Sequence, residues 1–137
     1  MQKLLFVVAL SLLTPFAFAD TCPTIDALKK SNLAGWSIYD SDDGKPLSTE
    51  RILTYKHDAV AFALAEWSSQ GTEGVIHCFY HDKAGSDMEA YLAKNHVRLS
   101  SQTKYWYQVS GSTQCAAGMQ ECAFNPTSKV AAQLAHN

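Results

Sequence analysis

Four cysteines and five histidines are the residues of this 137-residue chain whose types could carry redox, metal or acid–base chemistry. The cysteines are Cys22, Cys78, Cys115 and Cys122. Zinc sites hold Cys and His at short recurring spacings, and no C-x-x-C pair is present. His77 and His81 flank Cys78 in a strand-like stretch. Four residues along a strand span about 13 Å, too far for two imidazoles on one ion. Catalysis has equally little to work with. There is no G-x-S-x-G elbow, and His57 and Asp58 are adjacent, so on regular structure their side chains point apart. Cysteines consumed in disulfides supply no thiolate nucleophile. No catalytic residue, cofactor or metal site is therefore expected.

Disulfides are the better use of the cysteines. Four allow three pairings, and the favoured one is Cys115–Cys122 with Cys22–Cys78. The first closes a small ring, Ala116 to Glu121, in which Gly118 is free to turn. In the chain-entropy picture that ring is worth about 2.5 kcal/mol and the long loop about 4 kcal/mol. The ring also carries Met119, which either projects as a stiff probe or sits in a structural staple.

The start of the chain sets the compartment. MQKLLFVVALSLLTPFAFAD has one early lysine, an apolar run over 4–13 and a small-x-small box, Ala17-Phe18-Ala19, before Asp20. This is the pattern of a cleaved secretory signal, and the run is half the ~20 residues a spanning helix needs. Cys22 does not directly follow the box, which argues against lipidation. The expectation is a signal peptide over 1–19, a single periplasmic domain over 20–137 and no membrane span after cleavage. Eleven Lys and Arg against thirteen Asp and Glu leave a net charge of −2, with no basic stripe for nucleic acid. With 47% hydrophobic residues the chain is too apolar to be disordered.

The elements that must position these residues read as follows. A short helix is expected over 23–32, a strand over 35–39 and an acidic turn over 40–46. The turn is no calcium loop, because counting from Asp40 puts Lys45 and Arg51 where an EF-hand needs Gly and Glu. Segment 58–67 is rich in alanine and fits a helix capped by Asp58, although Phe62 and Leu64 also alternate as a strand. A loop follows over 68–74. Segment 75–80 (VIHCFY) is the most strand-like piece. Segment 86–95 opens with a capping-box pattern, Ser86 to Glu89, yet Met88, Ala90 and Leu92 alternate as a strand. Segment 105–109 is aromatic and β-prone, and 127–137 is a weak alanine-rich helix or a frayed end. On the 75–80 strand Ile76, Cys78 and Tyr80 share one face, buried if Cys78 is bridged. Val75, His77, Phe79 and His81 share the other, which is a contact surface or is covered by the N-terminal helix. The candidate partner-binding residues are thus His77, Phe79, His81 and Met119. The fold class is α+β: one small domain with an antiparallel sheet, a short N-terminal helix and two disulfides.

Scattered positions form a wider pattern: Cys22-Pro23, Gly35-Trp36, Phe62-x-x-Ala65-x-Trp67, Gly74-Val75-Ile76-x-Cys78-x-Tyr80, Trp106 and Cys115-x6-Cys122-Ala123-Phe124. It resembles small exported proteins of intracellular gammaproteobacteria, the EirA-type proteins associated with the Dot/Icm (type IVB) secretion system. The resemblance implies a periplasmic protein with an antiparallel sheet and two disulfides. It also implies a strand over 62–67 paired with 75–80, against local helix propensity. The function it implies is non-enzymatic support of a secretion machine through protein partners in the cell envelope. The alternative is an inhibitor of an envelope enzyme such as lysozyme, since a short Cys-closed ring can act as a stiff probe.

Overall fold

The computed structural model describes residues 19–99 and 104–126. The expected signal peptide, up to residue 18, and the expected helix or frayed end over 127–137 lie outside the described residues.

The chain enters through α1 (Ile25–Lys29), inside the expected 23–32. Thr24 caps it by accepting from the Ala27 N–H at 3.0 Å, and Leu28 is fully buried. Strand β1 (Ser37–Asp40) follows. The acidic turn after it is organised by Asp40, which accepts from the Asp42 N–H at 2.8 Å and from the Arg51 guanidinium. These donors hold the Asp40 carboxyl below the usual carboxylate range.

Arg51 belongs to a helix that the sequence reading missed, α2 (Thr49–Asp58), capped by Ser48 accepting from the Arg51 N–H. It corrects the helical reading of 58–67. Asp58 is the last residue of α2, and the alanine-rich segment after it is strand β2 (Ala61–Gln70). Pairing overrides propensity here. Strand β2 is hydrogen-bonded along its length to β3 (Glu73–His81), with Phe62 opposite Tyr80 and Ala65 opposite Cys78. The expected loop over 68–74 shrinks to a tight turn, because Ser68, Ser69 and Gln70 continue β2.

The capping-box reading of 86–95 is corrected in the same way. Ser86 donates its N–H to Asp82 Oδ1 at 3.0 Å and helps close a turn. Ala90–Arg98 is strand β4, with Ala90 and Leu92 buried on one side. Strands β5 (Tyr107–Val109) and β6 (Ser112–Cys115) form a hairpin whose two linking residues, Ser110 and Gly111, both have positive φ (40° and 86°). This is the turn that suits the twist of paired strands. A two-residue strand, β7 (Asn125–Pro126), pairs with the end of β4.

The sheet is antiparallel, in the order β1-β4-β3-β2-β6-β5. Its inner face holds the core: Ile38, Ala65, Ile76, Cys78, Tyr80, Leu92 and Cys115, packed against Leu28 and Tyr55 of the two helices and against Phe124. The Tyr80 hydroxyl donates to the Pro23 carbonyl at 2.6 Å and ties the segment before α1 to the sheet. Trp67 crosses over Gly74, where a Cβ would come within 2.3 Å of its ring, and its indole N–H reaches the Val97 carbonyl at 2.9 Å. The disulfides are Cys22–Cys78 and Cys115–Cys122, with Cα separations of 5.8 and 5.5 Å, and no cysteine is free. Such pairs form and persist in an oxidising, extracytoplasmic compartment. No described helix is long and apolar enough to cross a membrane.

Candidate functional site

Both helices and the Cys22–Cys78 bridge lie on the inner face, so the opposite face of the sheet has no helical cover. Strand register arranges its side chains in two neighbouring rows across the strands. One row runs Tyr39, Tyr91, Phe79, Leu64. Tyr39 is opposite Tyr91 and Leu64 opposite Phe79, and the Phe79 and Tyr91 rings sit 5.6 Å apart. The second row is polar and runs Ser37, Ala93, His77, Glu66, Gln114, Tyr107.

His77 joins the rows. Its ring lies 4.5 Å from that of Tyr91 and 6.4 Å from that of Phe79. Its Nδ1 is 3.8 Å from a Glu66 oxygen, beyond hydrogen-bond reach. Burial pushes its pKa below the usual histidine value, and Glu66 only partly opposes this. The Tyr91 hydroxyl is shifted up, by burial first and by nearby Tyr39 second. Beside the rings is a concavity of about 260 Å³ lined by Ser37, Tyr39, Val75, His77, Tyr91 and Asn95.

Comparison of the chain with protein-family models, with curated proteins and with solved structures gave no match.

The four residues singled out from sequence separate in space. His77 and Phe79 lie together on the uncovered face, half-buried among the tyrosines. His81 closes the end of β3, with its Nδ1 3.1 Å from Asp87. Met119 is half-buried and packs back against the core, which leaves Ala116, Ala117, Gln120 and Glu121 as the exposed residues of the small ring. His57 sits at the exposed end of α2, 3.0 Å from Asp58. A second concavity, about 380 Å³ between α2 and the β3–β4 turn, is lined by Arg51, Tyr55, Asp58, Asp82, Asp87 and Glu89. Among the described residues, no three His, Cys, Asp or Glu converge closely enough to hold a metal ion.

Tyr39, Tyr91, Glu66 and Gln114 belong to the face and were not anticipated. Tyr39 sits in the segment expected as a strand over 35–39, whereas Glu66 sits in 58–67, where helix and strand readings competed. Their company depends on which strands pair, and that was not legible locally.

Proposed function

We propose that the protein is a non-enzymatic, periplasmic binding protein that holds a protein partner of the cell envelope on its uncovered sheet face. One observation carries the reading: Tyr39, Tyr91, Phe79 and His77 are packed together, half-exposed, on the side of the sheet that neither helix covers. Clustered aromatic side chains of this kind are the anchors that dominate protein interfaces. The leader sequence and the two disulfides support export to an oxidising compartment. The resemblance to EirA-type proteins supports a more specific role, as an accessory of a type IVB secretion system. The inhibitor alternative leans on the Cys115–Cys122 ring, and with Met119 turned inward its only exposed apolar side chains are the small Ala116 and Ala117.

The test is partner capture from envelope extracts, with the captured protein identified and its affinity measured. Phe79→Asp should lose the partner while its circular dichroism stays native, because Phe79 lies outside the core. Leu53→Asp, at a position 64% exposed on α2, is the off-face control and should capture normally. His57→Ala should be silent. Normal capture by a folded Phe79→Asp variant would remove the face from consideration. Loss of function in a His→Ala variant that still folds and captures would point to chemistry instead.

A further inference from the structure

Glu66 stands in the middle of the uncovered face with 26% of its side chain exposed. One carboxylate oxygen accepts from Gln114 Nε2 at 2.9 Å and from Ser112 Oγ at 3.4 Å. Both donors are neutral. The other oxygen faces His77 across 3.8 Å, and burial holds that ring toward its uncharged form. Among the described residues no lysine or arginine nitrogen comes within 4.0 Å of this carboxylate.

Cations are also sparse across the rest of the sheet. Strands β1, β2, β3, β5 and β6 contain no lysine or arginine. On β4, Lys94 turns to the opposite side, pairing with Asp20 at 2.7 Å and lying over the Trp36 ring, and Arg98 is the last residue. A carboxylate half removed from water and left without a cation is a costly arrangement that an incoming cation relieves. Aromatic surface flanks it: Phe79 lies diagonally across from Glu66, and Tyr107, 50% exposed, stands beyond Gln114.

We propose that Glu66, with Phe79 and Tyr107 on the same face of the sheet, is the seat for an arginine side chain of the bound protein. Arginine fits better than lysine, because its planar guanidinium both forks onto a carboxylate and stacks on aromatic faces. The proposal rests on the sheet face being the contact surface and adds the chemistry of what it contacts.

The probe is the peptide acetyl-Val-Arg-Val-amide, titrated into the isotope-labelled mature protein and followed by NMR. Its control is the same peptide with neutral citrulline in place of arginine. The arginine peptide should give saturable shifts at the backbone amides of Glu66, His77, Phe79 and Gln114. It should bind at least about tenfold tighter than the citrulline peptide, and added salt should erode the difference. Glu66→Gln should keep a native spectrum and bind both peptides equally. Equal affinity of the two peptides for the wild-type protein, or shifts centred away from Glu66, overturns the proposal. The two failures are separable. Loss of capture by Phe79→Asp without any arginine preference removes the arginine seat and keeps the face. Normal capture by Phe79→Asp removes the face itself.

Discussion

The two disulfides should differ in what they contribute, and the structure sets the order. Cys22–Cys78 spans a sequence separation of 56 and Cys115–Cys122 a separation of 7. If a bridge acts by restricting the unfolded chain, removing the first costs about 4 kcal/mol and removing the second about 2.5 kcal/mol. The perturbation is a pair of double variants, Cys22→Ala with Cys78→Ala and Cys115→Ala with Cys122→Ala, each retaining the other bridge. All four cysteines are at most 1% exposed, so both variants lose similarly buried sulfur and the packing cost largely cancels between them. In the long-loop variant the Tyr80–Pro23 hydrogen bond still holds the leading segment on the sheet. The effect therefore falls mainly on the unfolded state. Urea unfolding followed by circular dichroism and tryptophan fluorescence should place the long-loop variant about 1.5 kcal/mol below the ring variant. Its denaturant slope should also rise more, because a longer stretch of unfolded chain is released to solvent. Against a typical domain stability of about 5–15 kcal/mol, the loss is large enough to read at ambient temperature. A ring variant as unstable as the long-loop variant, with equal slopes, would refute the entropic reasoning.

Three further outcomes follow from individual contacts. Gly74→Ala should destabilise by about 1–3 kcal/mol and shift the tryptophan emission, since the new Cβ would displace the Trp67 ring from the Val97 carbonyl. Chemical unfolding together with fluorescence measures both. Tyr80→Phe should cost about 1–3 kcal/mol by leaving the Pro23 carbonyl unsatisfied beneath the sheet, again read from urea midpoints. The His77 pKa is depressed in the folded chain, so the stability linked to it is fully present above its unfolded value near 6.5 and is lost as pH falls through the lower folded value. Urea midpoints at about pH 7.5 and about pH 5 should therefore differ less in His77→Gln than in the wild-type protein.

Legibility followed the distance over which each signal acts. Strand β3 was readable because Val75 to Tyr80 carries both its propensity and its alternation locally. The buried side of Ile76, Cys78 and Tyr80 followed from one cysteine. Strand β2 is ambiguous locally because Ala61, Ala63 and Ala65 favour a helix in isolation; the strand paired with 75–80 that the resemblance implies is the one that forms, and pairing with β3 and β6 decides it. Helix α2 was overlooked although its cue was present: Ser48 at the cap, then Ile52, Tyr55 and Ala59 on one side. Of the site, the outward placement of His77 and Phe79 could be read from a single strand. The meeting of Tyr39, Tyr91 and Glu66 with them could not, because it requires the register of four strands that are not all neighbours in sequence.

The one-sided layout of the sheet has a consequence for how such a protein can change over generations. The helices, the Cys22–Cys78 bridge and the buried aliphatic side chains all act on the inner face. A substitution at Tyr39, Glu66 or Phe79 disturbs no disulfide and no fully buried side chain. The outer face can therefore change, and under the proposed function follow a changing partner, while the folding free energy stays nearly constant. The inner face has no such freedom, because Gly74, Cys78 and Tyr80 each answer to a neighbour within van der Waals or bonding distance. Lineages of such a chain should keep the inner face of each strand fixed and let the outer face vary, a period-two signature along every strand.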